Sequence, residues 1–189
     1  MFIQTEDTPN PSTLKFIPGT EVLGNGTAQF NNSDEAKASP LAETIFKIKH
    51  IKAVFFGSDF ISVTKDDATD WQEVKTEVLT TIMEHYVSGK PIYHDDAPAN
   101  TTASKHDVNE NDDELTKQIK ELIETRVRPA VAQDGGDIIF HSFEAGVVKL
   151  ELHGSCSGCP SSTITLKNGI ENMLKHYVPE VESVEQVAI

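Results

Sequence analysis

The hydrophobic pattern changes period several times along this chain, and each change marks an element. Short β-type runs at residues 2–5 and 13–17 surround Pro9, Pro11 and Pro18, which predicts two strands joined by a proline turn. LGNGTAQFNNSDEAKASP is rich in Gly, Asn and Ser and predicts loops with one short strand at 27–30. Ser39 and Pro40 then read as the N-cap and first position of a helix carrying Leu41, Ile45 and Ile48 at helical spacing and ending near His50. IKAVFFGSDFISVTK predicts a hairpin around Gly57-Ser58-Asp59. Strand alternation sends Phe55 and Phe56 to opposite faces, and core is the expectation for Phe55, Phe56 and Phe60. Asp70 caps a longer helix whose Trp71, Val74, Val78 and Ile82 share a face, ending near Gly89.

The periodicity then stops. HDDAPANTTASKHDVNENDD, residues 94–113, holds six acidic residues against one lysine and almost no large apolar side chain, as a solvated spacer does. Beyond it Leu115, Ile119, Leu122, Ile123 and Val127 make the stripe of an amphipathic helix that Pro129 should end or kink. Asp134-Gly135-Gly136-Asp137 predicts a tight turn into a strand at 138–143. VVKLELHG alternates cleanly, Val148, Leu150 and Leu152 to one face and Glu151 and His153 to the other, where His153 is expected to be solvated. Ser161 or Ser162 should cap a last helix burying Leu166, Ile170, Met173, Leu174 and Tyr177, and a short strand returns after Pro179. The fold class is therefore α+β: two small α+β domains, 1–93 and 114–189, joined by a flexible acidic linker at 94–113.

Charge narrows the partners. The formal net charge of −14 repels nucleic acid phosphates and anionic lipid, and no apolar run approaches the length of a membrane span. The amino end shows neither a secretory signal nor an Arg-rich transit pattern. Met1 at the start favours a bacterial cytoplasm, and the mitochondrial matrix fits if the chain is a processed organellar protein. The seven histidines are scattered without ligand spacing, and none is assigned to metal.

The only two cysteines, Cys156 and Cys159, stand in GSCSGCPSS between a strand and a helix start. There the first helical turn and its dipole should lower a thiol pKa. Gly154, Gly158 and the surrounding serines leave the loop open and polar, so neither sulfur is expected in a core. Four readings fit a lone Cys-x-x-Cys. The pair is inert and structural; it performs dithiol–disulfide exchange; it binds zinc with His153 as a third ligand; or it is half of a four-thiolate iron–sulfur site completed by a second copy of the chain. Too few residues follow Cys159 for a thioredoxin-like fold, and His153 brings a zinc set only to three.

RPAVAQDGGDI, GSCSGCPSSTITLKNGIENML and PEVESVEQV resemble the C-terminal domain of the Nfu/NifU family, and MFIQTEDTPNPSTLKFIPG with ASPLAETIFKIKHIKAVFFGSDFISVTK resembles that family's N-terminal domain. The resemblance implies a non-enzymatic carrier that binds a [4Fe-4S] cluster on a homodimer. Cys156 and Cys159 of each chain would be the ligands. It also implies an upstream donor scaffold, and apo iron–sulfur client proteins that receive the cluster. Dithiol–disulfide oxidoreductase chemistry is the alternative.

Overall fold

The computed structural model describes residues 2–94, 112–157 and 160–187, without the side chains of 160–162. Most of the expected linker, 95–111, thus lies outside the described residues. The chain divides into two compact units, Met1–Ala103 and Ser104–Ile189, each of α+β type.

In the first unit, strands β1 (Gln4–Asp7), β2 (Thr13–Ile17), β3 (Ala28–Phe30), β4 (Ile51–Phe56) and β5 (Ile61–Lys65) form an antiparallel sheet in the order β1-β2-β5-β4-β3. Alternation turns Leu14, Phe16, Val54, Phe56, Ile61 and Val63 onto one face, where they meet helices α2 (Pro40–Phe46) and α3 (Trp71–Val87). Phe30 and Phe56 touch edge to face with ring centroids 5.3 Å apart. Phe55 points the other way and packs on Phe60, centroids 5.9 Å apart, and all three expected phenylalanines are buried.

Capping explains where these helices start. Ser39 Oγ accepts the Ala42 N–H at 3.2 Å ahead of Pro40, and Asp70 accepts the Gln72 N–H at 2.8 Å. Two details differ from the expectation. A four-residue helix α1 (Ser33–Ala36) forms inside the stretch expected to be loop, because the Asn32 side chain accepts from both Asp34 and Glu35. Helix α2 ends at Phe46 rather than near His50, because the chain must turn into β4 and His50 takes φ 74° to do so.

The second unit departs more. Asp113 caps α4 (Glu114–Leu122), and Pro129 does not end the helical run. A π-helical segment, Ile123–Val127, carries the chain into α5 (Arg128–Gln133), with Pro129 in the first turn of α5, where its missing N–H costs least. Ile119, Ile123, Val127 and Val131 stay buried throughout. Strand β6 (Gly136–Glu144) pairs antiparallel with β7 (Val147–Gly154) through a two-residue turn, Ala145-Gly146, both at positive φ. Helix α6 (Pro160–Tyr177) then crosses back so that β8 (Ser183–Gln186) lies parallel to β7. Ser161 and Ser162 fall inside α6 rather than before it. Val148, Leu150 and Leu152 face Ile170, Leu174 and the α4–α5 stripe in one core.

Two measurements probe these units. Hydrogen bonds from Thr69 and then His50 hold the Asp66 carboxyl at about 2, below its ordinary 3.8. A depressed carboxylate stabilises the fold above its unfolded pKa and loses that contribution as pH falls through the folded one. Asp66→Asn should therefore weaken the acid dependence of first-unit unfolding between about pH 4 and pH 2, read by denaturant titration at each pH. In α6, a Cβ built on Gly169 meets nothing within 4 Å, so Gly169→Ala should stabilise the second unit by about 1 kcal/mol in chemical denaturation.

Candidate functional site

The cysteine turn is built on the seam between α5 and β6. Asp134 closes α5, and Gly135 at φ 80° reverses the chain so that Gly136 opens β6 opposite Gly154, the last residue of β7. Gly154, at φ 65°, starts the turn into the cysteines. The Ser155 N–H then donates to Gly135 O at 3.1 Å, and Ser155 Oγ donates to Asp134 O. Ser157 Oγ donates to Gly154 O at 3.0 Å, and Thr163 Oγ1 of α6 donates to Cys156 O at 3.3 Å. The turn expected at Asp134–Asp137 is thus the floor on which the cysteine turn rests.

Cys156 lies directly on that floor. A Cβ added to Gly136 would come within 2.9 Å of Cys156 Sγ and 2.6 Å of His153 O, so only glycine allows this approach. Cys156 is 5% exposed and belongs to the apolar core of the second unit. This corrects the expectation of an open, activated sulfur. Burial pushes the Cys156 thiol up to about 11; the Ser155 hydrogen bond opposes the rise, and the charges of Asp134 and Asp137 add smaller increments to it. Cys159 lies outside the described residues, as does Gly158.

His153 is also not solvated as expected. It is buried, with Nε2 2.6 Å from Glu151 Oε1, while His141 Nε2 lies 2.6 Å from the other Glu151 oxygen. Burial alone would raise Glu151, but hydrogen bonds from His141 and His153 more than offset it and hold the carboxyl below its ordinary value. The imidazole expected as a possible zinc ligand is engaged with a carboxylate. Among the described residues no three His, Cys, Asp or Glu side chains come together as a metal cage.

Sequence reasoning missed the group that holds the floor in place. Arg128 donates to Asp137 through Nε at 2.8 Å and Nη2 at 2.9 Å, and to Glu124 through Nη1 at 2.9 and 3.1 Å. Burial works against the guanidinium charge, but Asp137 and Glu124 more than compensate and raise its pKa above the ordinary value. Asp137 also accepts the Ile138 N–H at 2.8 Å, so the pair sets the first residues of β6. The Glu124–Arg128 spacing of four was a legible helix signal. The Asp137 partnership depends on the π-helical segment that precedes Arg128, and no local pattern announces it. Asp137→Ala leaves a largely buried guanidinium without its bidentate partner. It should cost on the order of 3 kcal/mol in second-unit unfolding, with Arg128→Met/Asp137→Leu recovering part of the loss.

Comparison with known proteins places this geometry. Residues 3–89 match the family described as Scaffold protein Nfu/NifU N terminal, and residues 119–185 match the NifU-like domain. The chain is 54% identical over 188 residues to the NFU1 iron-sulfur cluster scaffold homolog, mitochondrial, of Drosophila erecta, covering 99% of this chain and 65% of that one. It is 55% identical over 187 residues to the protein of the same description from Drosophila grimshawi, covering 98% of this chain and 61% of that one. The chain thus spans less than two thirds of the length of these relatives. A solution structure of a NifU-like protein from Saccharomyces cerevisiae matches with a TM-score of 0.46 and 25% identity over 50% of this chain and 86% of that one. With both domain matches in order along one chain, this protein belongs to the Nfu/NifU-like iron–sulfur cluster scaffold family, an Nfu N-terminal domain followed by a NifU-like C-terminal domain.

Proposed function

We propose that this chain carries an iron–sulfur cluster as cargo rather than catalysing a reaction. Two copies, each supplying Cys156 and Cys159, hold one [4Fe-4S] cluster between them. They take it from an upstream donor scaffold and pass it to apo iron–sulfur client proteins. The observation that carries this reading is the placement of Cys156 on a glycine floor at a strand-to-helix turn, in a chain whose only other thiol stands three residues away. Two thiolates are half the set that such a cluster needs, and a twofold axis supplies the rest from an identical loop. The relatives' description as iron–sulfur cluster scaffolds supports the identity of the cargo. Their description as mitochondrial favours the matrix over a bacterial cytoplasm.

The resting thiol argues against the dithiol–disulfide alternative. A nucleophilic cysteine needs a lowered pKa and access, whereas burial holds Cys156 protonated at neutral pH. On the same reading the segments 1–93 and 114–189 act as separate modules, with 94–113 as the spacer between partner contact and cargo.

Anaerobic reconstitution tests this. Wild-type protein should bind about four iron and four sulfide per two chains and run as a dimer in native mass spectrometry. Cys156→Ser and Cys159→Ser should each lose stable cluster while remaining folded by circular dichroism, with Cys156→Ser lowering the thermal midpoint because its hydroxyl is buried in the core. A single chain retaining a complete cluster without added thiol, or either variant retaining it, would overturn the reading.

A further inference from the structure

Helix α6 begins at the residue after Cys159, and part of its outward face carries no charge. Ile164, Asn168 and Asn172 follow one another at intervals of four, with Thr165 and Gly169 in the adjoining row, and all five are exposed. Ile164 is 60% exposed, one of few large apolar side chains so open among the described residues. No charged residue occurs in either row, in a chain that is 24% charged with a net charge of −14. The charged row Lys167, Glu171 and Lys175 flanks Ile164, Asn168 and Asn172 on the other side, and its one carboxylate is matched by a lysine. Lys167 is half-buried, and Glu171 is tied to Lys175 at 2.7 Å and to the Val184 N–H of β8 at 3.1 Å. Gly169 adds an independent point: no neighbour within its own unit requires a glycine there, although glycine weakens a helix interior.

We propose that this neutral face of α6, Ile164, Thr165, Asn168, Gly169 and Asn172, is where a second copy of the chain docks. The inference rests on the bridged-cluster reading, because the occupant is the copy that supplies the missing thiolates. Two strongly acidic chains meet most readily across surface without uncompensated negative charge, and interface centres are depleted in charged residues. The face starts where the cysteine loop ends, so one twofold axis serves both. Gly169, without a side chain, permits close approach of the partner's backbone, and Ile164 supplies apolar area beside the loop.

The test is a charge pair made in the full chain: Asn168→Glu/Asn172→Glu in one variant and Asn168→Lys/Asn172→Lys in the other. Apo thermal midpoints and far-ultraviolet circular dichroism should match wild type. After reconstitution each variant alone should show a holo-dimer fraction reduced on the order of tenfold by native mass spectrometry, with iron content falling in parallel. An equimolar mixture of the two should recover mixed dimers and iron, since an isologous face brings each altered residue against its counterpart's neighbourhood. Either variant dimerising as wild type does, or a mixture that fails to recover, overturns the docking face while leaving the bridged cluster standing. Wild-type protein that is fully loaded as a single chain defeats the bridged cluster itself.

Discussion

Arg128 closes on Asp137 with two parallel hydrogen bonds, and the cysteine end of the second unit takes its register from that closure. Asp137 in turn accepts the Ile138 N–H, which fixes the first residues of β6 and sets Gly136 opposite Gly154. With that rung in place, Gly135 O and Asp134 O are where Ser155 donates, and Cys156 follows onto the bare face of Gly136. A bidentate guanidinium–carboxylate pair fixes direction as well as distance, which a lysine could not do. Removing it loosens a chain of backbone contacts that ends at the sulfur. Glu124 on the third side of Arg128 holds the guanidinium to the helical run that delivers it.

The resting sulfur is a guarded one. Burial and two neighbouring carboxylates keep Cys156 protonated, and a protonated, covered thiol reacts slowly with oxidants and disulfides. Metal binding requires the thiolate, so the free energy of cargo binding must uncover the sulfur and remove its proton. On the proposed reading, loading would be coupled to a local rearrangement of the turn after Gly154, with the Arg128–Asp137 pair and the β6–β7 ladder kept beneath it. If the chain is the carrier proposed, the same preference for the closed turn would favour release once a client's thiolates compete.

Much of the fold was legible because alternation and capping are local. Residues 147–152 alternate as a strand with one face in a core must, Thr13–Ile17 alternates in residue type although both of its faces are covered, and Ser39 and Asp70 mark helix starts through single hydrogen bonds, with Pro40 suited to a first turn. The continuation past Pro129 was not legible, since a π turn is a response to packing and has no residue signature of its own. Cys156 read as open because its sequence neighbours are Gly and Ser. What buries it comes from Gly136, twenty positions earlier, and a small residue there is a cavity that only the fold can reveal. His153 misled only in part, since Glu151 two residues away on the same face was a legible partner. Alternation placed it correctly on the face opposite Leu152, but its partner Glu151 and the second imidazole of His141 meet only after β6 and β7 pair.

If two loaded copies meet as proposed, charge sets how firmly they hold each other. At physiological ionic strength the repulsion between acidic chains is screened over roughly 8 Å, so it acts chiefly on the groups nearest the contact. A neutral face on α6 removes the like charges from that zone without supplying strong attraction, because one exposed isoleucine and a few amides bury little apolar area. Such a contact is weak by itself. The thiolate–iron bonds would provide the remaining stabilisation, so that the dimer is held while the cargo is present and separates when it leaves. A larger apolar interface would keep the pair closed after delivery, and a charged one would hinder loading; neutrality with small area sits between these failures and suits a protein whose cargo must depart.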